Sequence, residues 1–220
     1  MPRFLVFIPT DFELAKLQPL LAECVQRCDG VFATCGFGPV ASGIRSMQLL
    51  MTHKPESAVL VGIAGAYGTD LPIGTAVSFE RFGCYGIGAG SGRSFRTAGD
   101  LGWSQMVDQK SGVSFGDIIP LPTANQSNEP GNSRAGRMLL TACAASDSTD
   151  DVENRLCRFP EAAAEDMEAF SVAMACQMAG VPLTVIRGIS NVAGDRNKAN
   201  WNVTAALNAA AELFLARFSE

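Results

Sequence analysis

The sequence predicts an α/β fold, a mostly parallel sheet covered by helices on both faces. Three observations carry this. Apolar runs such as Phe4–Ile8 and Ala58–Ile63 are continuous rather than alternating, as expected of strands buried on both sides. Stretches with apolar residues at helical spacing follow them in turn. The 220 residues, 47% hydrophobic and 18% charged, supply one substantial core and show no disordered composition.

Each element has a local reason. Phe4–Ile8 (FLVFI) opens the sheet, and Leu14, Leu17, Leu20, Leu21 and Val25 stripe the helix that follows. Val31–Cys35 reads as a second strand, ending in the turn Gly36-Phe37-Gly38-Pro39, and Ala41–Met51 as a helix. Ala58–Ile63 is a third strand that runs into Gly62, Gly65 and Gly68, and Ala76–Phe79 a short fourth. Arg81–Pro130, rich in Gly, Ser and Asn, reads as long loops with short interrupted elements. Beyond it come a strand at Met138–Ala144, a helix at Thr149–Cys157 and a short strand at Ala162–Ala164. Met167–Ala179 reads as a helix closed by Gly180, Leu183–Ile189 as a strand, Ser190–Asn200 as a polar loop and Trp201–Phe218 as the last helix. No internal repeat or domain boundary is visible, so residues 1–220 are read as one domain. In a sheet of this kind ligands bind at the carboxyl ends of strands. Four loops qualify: Pro9–Glu13, Gly36–Val40, Gly62–Gly68 and Ser190–Trp201.

Composition excludes several functions. With 17 Lys+Arg against 22 Asp+Glu, the net charge is −5 and no basic run exists to neutralise phosphates, which argues against nucleic acid. Seven cysteines without a CxxC pair, beside the single histidine His53, argue against a metal site and for reduced thiols packed as small apolar residues. The first apolar run, Phe4–Ile8, is too short for a signal peptide or a membrane span, so a cytoplasmic protein is expected. The glycine-rich turns match neither G-x-G-x-x-G nor a phosphate loop ending in Lys-Ser/Thr, and no cofactor is expected.

Three constellations remain. Thr10-x-x-Glu13 fits a helix capping box, but it also places a carboxylate at the mouth of a buried strand, where it could act as a general base. Glu165-Asp166-Met167-Glu168 sets three carboxylates at the start of a helix. Dipole compensation explains any one of them, whereas Met167-Glu168 leading straight into an apolar stripe suits a carboxylate that accepts hydrogen bonds from a ribose diol. Arg187 in an apolar strand needs a buried partner, and Ser190-Asn191 follow it, as helix caps or as binding groups.

Phe159–Ala169 followed by Val181–Asn191 resembles the C-terminal signature of the nucleoside phosphorylase/nucleosidase superfamily. The N-terminal half agrees in order: Thr10–Glu13, Gly36–Pro39, Val61–Gly68, then Pro72-Ile73-Gly74. The resemblance implies a single-domain three-layer sandwich, a central mixed twisted sheet flanked by helices, and a homodimer or higher homo-oligomer. Within the superfamily the chain is most similar to the futalosine hydrolases, on the Thr-x-x-Glu entry, Gly62–Tyr67 and the tail Ser190-Asn191-x-x-Gly194-x-Arg196-x-x-x-x-Trp201. That implies hydrolysis of the N-glycosidic bond of futalosine, a purine nucleoside, to hypoxanthine and dehypoxanthinyl futalosine. The alternatives are a methylthioadenosine/adenosylhomocysteine or aminodeoxyfutalosine nucleosidase releasing adenine, or an inactive nucleoside-binding protein.

The resemblance also implies roles. Glu13 is the general base, Glu168 holds the ribose hydroxyls over Met167, Arg187 orients the acids, Asp166 takes an acidic position of the nucleosidases, and Ser190 and Asn191 meet the base. Phosphorylases of the superfamily hold phosphate with a glycine-containing first loop, arginines and a serine near the third strand. Here Pro9–Glu13 has neither Gly nor Arg and Ile63 takes the serine position, so water is the expected nucleophile. Methylthioadenosine nucleosidases carry an Asp that protonates adenine N7, where this chain has Asn191. An amide donates a hydrogen bond but is no general acid, which favours a 6-oxopurine. Arg196 and Lys198 are candidates for the substrate's carboxylate, against the simpler reading of solvated loop charges.

Overall fold

The computed structural model describes residues 2–109, 112–121 and 137–219. Its frame is one nine-stranded sheet. In chain order the elements are β1 (Phe4–Ile8), α1 (Asp11–Arg27), β2 (Gly30–Thr34), α2 (Pro39–His53), β3 (Ser57–Ala66), β4 (Ala76–Phe79) and β5 (Arg81–Tyr85). Four two-residue strands then form two small hairpins, β6 (Gly88–Ala89) with β7 (Arg96–Thr97) and β8 (Met106–Val107) with β9 (Ser114–Phe115). The remainder are β10 (Ile118–Pro120), β11 (Met138–Ala142), α3 (Thr149–Arg158), β12 (Ala162–Asp166), α4 (Ala169–Ala179), β13 (Leu183–Val192) and α5 (Val203–Phe218). Among the described residues no helix is long and apolar enough to cross a membrane.

The helices form two outer layers. Leu49 and Leu50 of α2 and Phe170, Val172 and Cys176 of α4 share one core with Leu5, Phe7, Leu60 and Ile189. Leu17, Leu21 and Val25 of α1 and Leu207, Ala210 and Phe214 of α5 share another with Val6, Ile8, Val61 and Ile186. Successive strand residues point to opposite faces, so Leu5 and Val6 fall in different cores and β1 is apolar throughout. This is the three-layer α/β/α arrangement, and the sheet is mixed. β1/β2, β1/β3, β3/β13, β11/β12 and β5/β11 run parallel, while β12/β3, β4/β13 and β5/β10 run antiparallel.

β3 is the strand that makes a site possible. Along Ala58–Ala66 it gives one edge to β13. Its other edge is shared: β1 takes Ser57–Leu60, running parallel, and β12 takes Gly65–Ala66, running antiparallel. The carboxyl ends of β1 and β12 therefore face each other across a short gap, and the stretch of β3 between them pairs with no strand on that side among the described residues.

The structure corrects four of the boundaries expected from sequence. Arg81–Pro130 is not all loop, because β5 lies inside the sheet between β10 and β11. Gly83 hides it by interrupting the apolar run, and a Cβ there would come within 2.8 Å of Leu140. Residues 110–111 and 122–136 of that stretch lie outside the described residues. Glu165 and Asp166 end strand β12 rather than starting a helix, which begins at Ala169 with Glu168 as its N-cap. β13 does not stop at Ile189 but continues through Ser190 and Asn191 to Val192, by way of an irregularity in register between Ile189 and Asn191. The last helix starts at Val203, with Trp201 closing a short 3₁₀ turn before it.

Candidate functional site

The gap on β3 is filled by side chains from the segments that follow both flanking strands, and from the end of β12 itself. Thr10 is the N-cap of α1, its hydroxyl accepting the Glu13 N–H at 3.2 Å and donating to Glu13 Oε2 at 2.7 Å. Glu13 Oε1 accepts the Ile63 N–H at 3.1 Å, a donor on β3 that no neighbouring strand takes. The cap and the site are thus the same carboxylate. It is buried, and burial raises its pKa, opposed by the Thr10 hydroxyl, Arg187 and the Ile63 N–H.

Arg187 lies at the centre, fully buried. It donates to Asp166 Oδ2 from Nη2 at 2.6 Å and from Nε at 3.2 Å, and Nη2 stands 3.6 Å from Glu168 Oε2. Its Nη1 has no hydrogen-bond partner and points toward Gly62. Gly62 lies level with Arg187 across the β3/β13 ladder, and any Cβ there would collide with Arg187 Nη1 and Glu13 Oε1. Desolvation alone would favour a neutral guanidinium. Asp166, Glu168 and Glu13 outweigh it and keep Arg187 charged.

Asp166 also accepts the Thr141 hydroxyl at 2.6 Å and the Ala169 N–H at 2.9 Å, so it caps α4 while it pairs with Arg187. Glu168 reaches in the other direction, and its Oε1 accepts the Gly38 N–H at 3.0 Å. Gly38 is the N-cap of α2 with φ +83, a conformation that suits glycine, and it offers Glu168 the positive end of that helix. Burial and then the neighbouring Asp166 push the Glu168 carboxyl up to about 7, despite Arg187 and the Gly38 N–H. The nearby Cys35 thiol is pushed up to about 12 by burial, so it stays neutral.

Met167 sits between Asp166 and Glu168, half-buried. The Ile63 side chain packs into the core under α1 and α5, so its contribution to the cluster is its backbone N–H. Asn191 stands further along, level with Gly65 on β3. Ser190 Oγ donates to Asn191 Oδ1 at 2.7 Å, and Asn191 Nδ2 donates to the Val192 carbonyl at 2.9 Å. These bonds fix the amide so that its second N–H is left to present to a ligand. Arg196 and Lys198 are exposed, Arg196 lying over the Trp201 ring at 5.0 Å.

Sequence reasoning named Glu13, Asp166, Glu168, Arg187 and Ile63, and the structure brings these five together. It passed over the Gly38 N–H and the crowding that leaves room only for glycine at position 62. A φ of +83 at a helix N-cap is a property of the folded backbone, and Gly62 matters only because Arg187 and Glu13 arrive above it. Among the described residues no group of His, Cys, Asp and Glu is arranged to hold a metal ion.

The family profile described as the Phosphorylase superfamily matches residues 25–219. The chain belongs to that superfamily. Its curated relatives include a futalosine hydrolase of Streptomyces coelicolor, 29% identical over 154 residues, spanning 70% of this chain and 61% of that one. A 5'-methylthioadenosine/S-adenosylhomocysteine nucleosidase of Chromohalobacter salexigens is 26% identical over 183 residues, spanning 74% and 67%. Among solved structures, the 5'-methylthioadenosine/S-adenosylhomocysteine nucleosidase of Neisseria meningitidis with methylthio-immucillin-A superposes with a TM-score of 0.72 at 17% identity, covering 97% of each chain. This superfamily member thus shares the fold of that nucleosidase over nearly its whole length.

Proposed function

We propose that this chain hydrolyses the N-glycosidic bond of a purine nucleoside, with futalosine as substrate and hypoxanthine as the released base. The observation that carries the reading is the charge balance around Arg187. One buried guanidinium is surrounded by three carboxylates, Glu13, Asp166 and Glu168. Cleaving the glycosidic bond builds positive charge on the sugar, and an acid-rich pocket shielded from water stabilises that charge. The same balance disfavours a phosphate dianion, since Arg187 faces three carboxylates and no other Lys or Arg contacts the cluster among the described residues.

The mechanism follows from the positions. Glu13, held by Thr10 and the Ile63 N–H, keeps a lone pair on each oxygen to orient water and take its proton as the water attacks the anomeric carbon. Glu168, held by the Gly38 N–H, accepts hydrogen bonds from the ribose hydroxyls, with Met167 beneath the sugar. The free N–H of Asn191 donates to N7 or O6 of the departing base. Because the amide cannot give up a proton, a 6-oxopurine suits it better than adenine. Similarity to the futalosine hydrolase of Streptomyces coelicolor supports the same substrate, while the relatives that are 5'-methylthioadenosine/S-adenosylhomocysteine nucleosidases make adenine release the competing reading.

The apolar side chains of Val40, Ile44 and Met51 on α2, and of Phe37 in the turn before it, recur at near-helical spacing, each more than 60% exposed. They support a homodimer formed through this helix, to be checked by the mass of the particle in solution. The decisive assay incubates the protein with futalosine, methylthioadenosine and aminodeoxyfutalosine, with and without phosphate. Hypoxanthine release independent of phosphate is expected, and release of adenine alone refutes the substrate.

A further inference from the structure

Glu165 plays no part in the cluster around Arg187, yet it is buried and holds four donors. Its Oε2 accepts from Tyr67 Oη at 2.7 Å, Ser146 Oγ at 2.6 Å and Arg155 Nη1 at 2.7 Å, and its Oε1 accepts the Ser146 N–H at 2.8 Å. These come from the residue after β3, the loop after β11 and helix α3. Arg155 is buried with it, donates from Nη2 to the Ala144 carbonyl at 3.0 Å and lies 5.4 Å from the centre of the Tyr85 ring. Burial raises the Tyr67 hydroxyl's pKa, and the adjacent Glu165 charge raises it further, so the phenol stays a donor. Residues 143–148 are therefore pinned at Ala144 and at Ser146 by one carboxylate–guanidinium pair.

The place of that loop relative to Asn191 follows from register. Glu165 is level with Gly65 on one edge of β3, and Asn191 is level with Gly65 on the other. Residues level across a ladder project from the same face. Glu165 and Asn191 thus flank a row whose middle member has no side chain, about 10 Å apart at two strand spacings. A Cβ on Gly65 would lie 3.2 Å from Asn191 Nδ2, so the amide leans over that glycine. Asp166, one residue on, projects from the opposite face, which is why adjacent carboxylates enter separate networks. The two sides are also tied directly. Gly194, three residues after Asn191, packs against the Ser148 carbonyl, where a Cβ would come within 2.8 Å.

We infer that Glu165, through Arg155, Tyr67 and Ser146, is a positioning residue that holds loop 143–148 as the wall of the base site opposite Asn191. It sets affinity for the purine, while Glu13 and Glu168 serve the sugar and the water. This rests on the purine nucleosidase reading, and it assigns a task to a buried ion pair that the hydrolysis itself does not need.

The test compares wild type, Ser146→Ala, Glu165→Gln and Glu13→Gln by calorimetric binding of free hypoxanthine and by steady-state kinetics. Ser146→Ala removes one loop contact without stranding a charge, so it reports even where Glu165→Gln fails to fold. In both network variants the Kd for hypoxanthine and the KM are expected to rise about tenfold or more, with kcat changed less. Glu13→Gln is expected to do the reverse, losing kcat and keeping hypoxanthine affinity. Unchanged hypoxanthine affinity in folded Ser146→Ala and Glu165→Gln overturns the positioning role even if wild type is active. A wild type that releases no base from any purine nucleoside removes the functional reading, and this inference with it.

Discussion

Replacing Gly62 by alanine exchanges a hydrogen for a methyl group at the most crowded point of the site. The new Cβ would sit 2.7 Å from Glu13 Oε1 and in collision with Arg187 Nη1, with Pro9 Cδ at 3.1 Å. An ordinary contact begins near 3.4 Å, so Glu13 must retreat by 3.4 − 2.7 = 0.7 Å or more, and Arg187 further. Neither can move freely, because Glu13 is tied to Ile63 and Thr10 and Arg187 to Asp166. A misplacement of about 1 Å in a catalytic group costs on the order of 100-fold in rate, whereas overpacking costs about 1–3 kcal/mol in stability. Gly62→Ala should therefore fold, melt somewhat lower, and lose roughly 100-fold in kcat for base release. Gly65→Ala is the internal control. Its Cβ lies 3.2 Å from Asn191 Nδ2, a shift of only 3.4 − 3.2 = 0.2 Å, so the loss should be far smaller. Paired measurements of kcat and thermal unfolding decide the matter. Full turnover in a folded Gly62→Ala protein would mean that Glu13 and Arg187 need not occupy the positions seen here.

Three further outcomes are expected. Glu13→Gln should keep the helix cap through Thr10 yet lose about 100-fold or more in turnover, and a rate near wild type would reduce Glu13 to a cap. Glu168 has its carboxyl raised from 4.5 to about 7, so the folded state binds its proton more tightly than the unfolded chain. This group's contribution to stability is therefore complete below about 4.5 and lost as pH rises toward 7, on the order of 3 kcal/mol, while kcat/KM rises over the same limb as the ribose acceptor ionises. Melting temperatures and kcat/KM across that range, with Glu168→Gln removing both trends, are the check. Asn191→Asp supplies an acid where the wild type has only a donor, and should raise adenine release relative to hypoxanthine release; an unchanged ratio would show that the base is selected elsewhere.

The sequence alone determined the order of the helices and of the strands outside Arg81–Pro130, and most of the chemistry-bearing residues. Phe4–Ile8 and Ala58–Ile63 could be read as buried strands because apolar residues on both faces leave no other economical placement, and Thr10-x-x-Glu13 as a cap because that signal spans one helical turn. The Met167-Glu168 pair and Arg187 stood out because buried charge needs a reason. What depended on distant partners was not legible. β5 carries a glycine where Leu140 packs, and the true ends of β12 and β13 are set by pairing with β3 rather than by local propensity. Only the tertiary structure decided that β1 and β12 share one edge of β3, so that Glu13 and Arg187 meet over Gly62 with Glu168 beside Arg187, and that Glu165 and Asp166 serve opposite faces of the sheet. Register fixes these relations, and register arises from long-range contacts that no window of the chain contains.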